Sequence, residues 1–336
     1  MKKRKLILVA LSVVMSTIVW ASDTTKTIVT KEVKQEDARP KGKAIVSVFA
    51  NYNMTMQNGV SKCGFQLDRT YLGYQYSLGK GLELKAVMDI GKPSSVDDYH
   101  YVAYIKNAQV SWKHKGLTLA GGMISTTQFN MQEKFWGYRY IYKSFQDQYK
   151  FGSSADLGLS VAYKFADWVS ADVIMTNGEG YKKVQGDLGF LYGLGLTFMP
   201  VEGLSVRLYG GLNDATAEGK SDVYNYVAFV GYKNKRFSLG GEFAMMQNSG
   251  NVEHRNQLGC SVYGSVKAHK IVDVYARWDM LTSNNGWNTE KDEMAVIAGS
   301  QVKLGKYVKV APNFRMTLPK EGDSKYMAYV NCYFGL

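Results

Sequence analysis

The sequence predicts an all-β chain folded as a sixteen-stranded antiparallel transmembrane β-barrel, and three observations point there. From Lys43 onward, hydrophobic residues alternate with polar or small ones, the period of a strand with two unlike faces. The alternating segments run about ten residues or more, as a tilted membrane strand requires, whereas soluble strands centre on about five or six. The connections alternate between seven tight turns and eight longer polar loops. Fifteen connections join sixteen strands, and an even count puts both barrel ends and all the short turns on one side, the periplasmic one.

The elements follow in chain order. Lys2, Lys3, Arg4 and Lys5 precede an apolar core, Leu6 to Trp20, and Ala21 offers a small residue for cleavage. Residues 1–21 therefore read as an exported protein's signal peptide, too short for a spanning helix of about 20 residues. Residues 22–42 are polar and mixed in charge, ending near Pro40, and read as a flexible periplasmic leader. The barrel is expected over residues 43–336.

Within it, Leu82, Leu84, Ala86, Met88 and Ile90 form one face against Glu83, Lys85, Val87 and Asp89. Leu188 to Phe198 repeats the pattern with Gly189, Gly193 and Gly195 on the second face, and Tyr326 to Leu336 closes it. The tight turns are 79–81, 113–116, 166–167, 199–203, 233–235, 268–270 and 304–306. The longer loops surround 54–62, 92–100, 125–152, 178–186, 213–222, 247–254, 283–291 and 319–324. Trp112, Phe165, Phe198, Tyr232, Phe237 and Phe334 share the lipid-facing parity beside short turns, where a periplasmic aromatic girdle belongs. Tyr52, Tyr104, Phe190, Tyr224 and Trp278 are placed to form the outer girdle.

Charge narrows the function. Of 41 Lys and Arg, four lie in the signal, leaving 37 against 29 Asp and Glu, a net +8. These charges are scattered, with no basic run of the kind that binds nucleic acid. On lumen parity the cations are Lys43, Arg69, Lys85, Lys113, Lys164, Arg207, Lys233, Arg236, Arg255, Lys267, Arg277, Lys303, Lys309, Arg315 and Lys325. The anions are Glu83, Asp89, Asp156, Asp172, Asp187, Glu242, Asp273, Asp279 and Glu293. Such an excess of positive charge in a channel lining favours anions, tempered by cross-strand pairing. Cys63, Cys260 and Cys332 have neither disulfide-scaffold nor metal-site spacing, so no metal or other cofactor is expected.

Residues 125–152 form a loop roughly three times the length of its neighbours, and loops that long inside a compact domain are usually functional. Folded inward, it would narrow the lumen, its aromatics packing on the wall and its charges, Glu133, Lys134, Arg139, Lys143 and Lys150, facing the passage.

The run Gly121-Gly122-Met123, Phe129, Glu133, Phe135-Trp136-Gly137-Tyr138-Arg139, Ser144-Phe145 and Ser154-Ala155-Asp156-Leu157-Gly158 resembles the phosphate-selective porin (porin O/P) family, especially its shorter members. The resemblance is strongest over residues 105–215. It implies a trimeric outer-membrane porin of a Gram-negative bacterium with the third loop as constriction, and Lys134, Arg139, Lys143 and Lys150 as the cations facing solute. Phosphate-selective members line the pore with an arginine ladder, whereas here the lumen cations are mixed, lysine-rich and interrupted by carboxylates. Passive diffusion of small hydrophilic solutes, with a mild preference for anions, phosphate among them, is the expectation. Lys85, Arg207, Arg277 and Arg315 are the wall residues expected to face solute with the loop.

Two other classes remain open on the sequence. A barrel enzyme of lipase or protease type needs a His beside a nucleophile or acid. His114 and His269 fall in short turns, while His100 and His254 fall in outer loops near Asp97, Asp98 and Glu253; a rim site could be built on His100 and Asp98. An adhesin or structural barrel would want longer outer loops than most of these.

Overall fold

The computed structural model of the protein describes residues 41–93 and 100–336. The expected signal peptide, the leader as far as Pro40, and Asp97 and Asp98 lie outside the described residues.

Sixteen antiparallel strands close into one barrel. They are β1 (Lys41–Gln57), β2 (Val60–Gly79), β3 (Leu82–Gly91), β4 (Val102–His114), β5 (Leu117–Ser125), β6 (Ala155–Ala166), β7 (Val169–Thr176) and β8 (Leu191–Phe198). The second half comprises β9 (Leu204–Asn213), β10 (Val223–Lys233), β11 (Phe237–Gln247), β12 (Gln257–Lys267), β13 (Val272–Ser283), β14 (Glu293–Leu304), β15 (Val308–Pro319) and β16 (Lys325–Gly335). Each strand pairs with its sequence neighbours, and β1 pairs with β16 to remove the free edges. The sixteen-stranded barrel expected from alternation and connection lengths is the fold observed.

Burial follows the pleat. In β10, Val223, Asn225, Val227 and Phe229 are buried inward while Tyr226, Val230 and Tyr232 are exposed on the outer wall. Trp112, Phe165, Phe237 and Phe334 are likewise exposed near the short turns.

Four local expectations are corrected. Lys41 and Gly42, read as leader, begin β1, because β2 runs far enough to pair them with Ser77 and Tyr76. The connection read as a loop around 54–62 is a two-residue turn: Asn58 and Gly59 both take positive φ (49° and 72°), the Asn-Gly geometry that matches strand twist. The strand expected from Leu188 begins only at Leu191, since Asp187 bends back to accept the Gly189 N–H at 2.8 Å.

The fourth is Tyr104, expected in the outer girdle. A bulge at Lys106 sets Val87 opposite Asn107 but Met88 opposite Ile105, which reverses parity beyond it. Ile105 therefore faces outward, 59% exposed, and Tyr104 points into the lumen beside Tyr181. A bulge at Asp68 similarly separates the pairs Phe49–Arg69 and Ala50–Leu67, so that Asp68 and Arg69 line the same lumen pocket.

Candidate functional site

The segment between β5 and β6 folds into the barrel and packs on its inner wall. It contains two short helices, α1 (Asn130–Trp136) and α2 (Phe145–Gln148). Helix α1 ends at Gly137, whose φ of 72° lets its N–H bond the Glu133 carbonyl at 2.9 Å. Phe129, Trp136, Phe145 and Phe151 are almost wholly buried. Trp136 sits edge-on to Tyr263 and Tyr275 of the wall, and its indole N–H donates to the Tyr142 carbonyl at 2.8 Å. Tyr138 and Tyr140 extend the same aromatic core to Phe49, Tyr71 and Ile297. Apolar burial of this extent in a lumen makes the loop part of the barrel's core.

Three wall arginines hold the loop backbone. Arg207 donates to the Thr127 carbonyl at 2.8 Å, Arg277 to that of Lys143 at 2.6 Å, and Arg315 to that of Ile141 at 2.8 Å. Each is also held by wall side chains, although Arg207 Nε is buried without a hydrogen-bond partner among the described residues. Arg207 forks onto Asp172 at 2.7 and 2.9 Å, and Arg277 onto Asp279 at 2.7 Å through two nitrogens. Arg315 binds Asn313 and Asn331 and lies 3.6 Å from the Tyr329 ring centroid. The planar five-donor guanidinium suits this double task, which a lysine could not perform. Gln146 to Glu242, Tyr149 to Glu293 and Tyr140 to Gln301 complete the anchorage.

The residues expected at the site therefore divide. Arg207, Arg277 and Arg315 are buried between wall and loop. Arg139 joins Glu133 at 3.0 Å and Asp147 at 2.5 Å, and also contacts the Tyr71 hydroxyl at 3.4 Å. Burial opposes the Arg139 charge, but Tyr71, Glu133 and Asp147 outweigh it and raise its pKa. Burial likewise pushes the Asp147 carboxyl up, yet Arg139 and Lys143 hold it below the usual carboxylate range. Lys143 is half-buried, and burial lowers its ammonium pKa against the pull of Asp147. Lys150 is exposed.

Arg139, Lys143 and Lys150 line one cavity of ≈540 Å³ on the long-loop side, together with Arg69, Lys182 and Lys183. Its carboxylates are Asp147, Asp156 and Glu179, so cations outnumber them six to three. Lys134 is not part of this group: its carbonyl lies 3.5 Å from Lys233 Nζ, towards the short-turn end. There a second cavity of ≈310 Å³ is lined by Lys233, Lys235, Arg236, Lys267, Lys303 and Lys309 against Asp273. Lys85 is half-buried on the lumen face of β3.

Some lumen residues escaped sequence reasoning. Lys106 lies 4.7 Å over the Tyr71 ring, its ammonium 3.3 Å from the hydroxyl. Tyr181 reaches from the loop after β7 to donate to Asp89, and Lys182 lies 4.7 Å over Tyr104. The pairs Asp68-Arg69 and Lys106-Asn107 carry the missed signal, because two adjacent polar residues inside an alternating strand mark a bulge. Of the histidines, His114 stacks on Trp112 at the short-turn end, and His254 stands 3.9 Å from Glu253 on an outer loop.

No protein-family model matches the sequence, and a search of curated proteins finds no match. Solved structures do match. OprB of Pseudomonas putida superposes with a TM-score of 0.69 at 12% identity, over 88% of this chain and 94% of that one. The fold is that of the outer-membrane porins. An anion-selective porin from Comamonas acidovorans gives a TM-score of 0.65 at 12% identity, over 89% of this chain and all of its own length. The outer-membrane channel DcaP of Acinetobacter baumannii gives 0.64 at 10% identity, over 90% and 99% of the two chains. At such identities the likeness concerns the barrel and leaves the lumen chemistry to this chain's own residues.

Proposed function

We propose that this chain is a passive outer-membrane channel for small hydrophilic solutes, with a mild preference for anions. The observation that carries the reading is the inward loop, held to the wall by three arginines, beside a cavity with twice as many cations as carboxylates. A loop fixed this way narrows the lumen, and fixed positive charge at a narrow point raises the local anion concentration. The lysine-rich cavity on the other side of the loop extends the same field to the short-turn mouth.

Arg207, Arg277 and Arg315 serve as clamps, so their guanidinium forks are not available to form a phosphate ladder. General passage of small anions, phosphate included, suits this chain better than phosphate specificity of the porin O/P kind. The proposed frame includes cleavage of residues 1–21, a leader ahead of β1, and a homotrimer in the outer membrane. Gly121 and Leu159 pair on the outer wall beside the loop, where Leu159 is 63% exposed and suits contact with a second copy. The enzyme reading would rest on His100 and Asp98, of which Asp98 lies outside the described residues; His114 and His254 stand apart at opposite ends of the barrel.

The test is a planar-bilayer recording of the purified protein in asymmetric potassium chloride. A reversal potential of the sign for chloride over potassium is expected. Absence of channel steps, or cation preference, would overturn the reading.

A further inference from the structure

The outer wall between β11 and β16 carries an apolar groove of ≈1030 Å³. Strand register explains it. Gly264, Ala276 and Ala298 stand side by side across three strands, with Leu239 at one end of the row and Phe314 at the other. Ala276 and Ala298 are exposed while Leu239 and Phe314 project, 52% and 48% exposed, so small residues form a floor between large ones.

The three short turns of this sector are basic. They hold Lys235, Lys270 and Lys306, all exposed, and no carboxylate in residues 233–237, 267–272 or 304–308. Elsewhere at the same end, Lys164 pairs with Asp167 at 2.6 Å and the 199–203 turn carries Glu202, while the 79–81 and 113–116 turns, with Lys80 and Lys115, are also basic. Ile271, Leu304 and Tyr307 are exposed among the lysines, and Lys306 Nζ lies 5.1 Å from the Tyr307 ring centroid. Amphipathic turns of this kind sit at the boundary between acyl chains and headgroups.

We infer that the groove binds an anionic phospholipid of the periplasmic leaflet, its acyl chains on the Gly264–Ala276–Ala298 floor and its phosphate between Lys270 and Lys306. The two turns stand two strand spacings apart, roughly 10 Å, a span that a lipid headgroup can bridge. A zwitterionic lipid would fill the groove but leave the lysines without a counter-charge. A second copy of the chain would have to cover three cations and supply carboxylates to match. The inference rests on the outer-membrane reading for the leaflet it names.

Native mass spectrometry of the detergent-solubilised protein tests it, with dioleoyl phosphatidylglycerol and dioleoyl phosphatidylethanolamine as competing probes. Preferential retention of phosphatidylglycerol is expected. Lys270→Gln/Lys306→Gln should reduce that preference roughly 10- to 30-fold. Ala276→Leu/Ala298→Leu should reduce retention of both lipids, and Lys80→Gln/Lys115→Gln, on other turns, should change neither. Equal retention of the two lipids, or a preference that survives loss of both lysines, overturns the inference. Loss of oligomer without loss of lipid in the groove-filling variant also overturns it, making the face an interface between copies. Circular dichroism confirms that each variant is a folded barrel. Single-channel conductance separates the two readings: a wild-type protein that does not conduct refutes the channel and leaves the lipid result standing.

Discussion

Replacing Lys143 and Lys150 together by glutamate is expected to turn the proposed anion preference into cation preference. Both side chains line the ≈540 Å³ cavity, whose six cations and three carboxylates become four and five. The formal balance of the lining then moves from +3 to −1. A sphere of ≈540 Å³ has a radius of about 5 Å, which sets the lining charges roughly 7 Å from an ion at its centre. Four units of charge at that distance amount to about 2.4 kcal/mol in bulk-water dielectric, and about 1 kcal/mol after screening over a Debye length of about 8 Å. Chloride and potassium shift in opposite directions, so their permeability ratio changes by up to roughly 30-fold. The loop stays in place, because Arg277 grips the Lys143 carbonyl and not its side chain. Arg139 is left alone, since Glu133 and Asp147 already offset its charge. Lys134→Glu is the control and should shift selectivity less, lying outside this cavity. The assay is the reversal potential in a tenfold potassium chloride gradient. An unchanged potential in the double variant would refute the assignment of this cavity as the selective passage, while leaving the barrel intact.

Arg277→Met should loosen the loop, since Asp279 is left buried without its partner at a cost of about 3–5 kcal/mol. Single-channel conductance should rise and proteolysis between residues 126 and 154 accelerate; Asp279→Leu in the same chain should restore stability but not the lost grip on the Lys143 carbonyl. Acid should release the Arg139–Asp147 contact. Because the folded carboxyl sits below its ordinary range, the contribution is complete above the ordinary value and fades only as pH falls below it, so conductance should hold to about pH 4 and change beneath. Leu159→Arg should convert the proposed trimer to monomers in light scattering while the folded barrel persists by circular dichroism. Intact mass of the purified outer-membrane form should correspond to a chain beginning at Ser22.

Strand number, strand order and the facing of most residues were legible in the sequence, because a barrel wall divides lipid from water at every second residue. That division is local, so a window of ten residues such as Leu82 to Gly91 reports it directly. The Asn58-Gly59 turn was missed, its two residues absorbed into an apparent loop over 54–62. Parity failed at Lys106, where one inserted residue turned Tyr104 from lipid to lumen, and at Asp68, where it gathered two opposite charges on one face. The loop's length announced its importance, and its aromatic content agreed with inward packing. What alternation could not show was which of the lumen arginines remain free. Arg207, Arg277 and Arg315 share the parity of Lys85, yet each is tied to a loop carbonyl 80, 134 or 174 residues away in the chain. Parity states only which side of the wall a charge occupies. Its partner depends on where a distant segment comes to rest, and only the closed barrel with the loop packed inside it decides that.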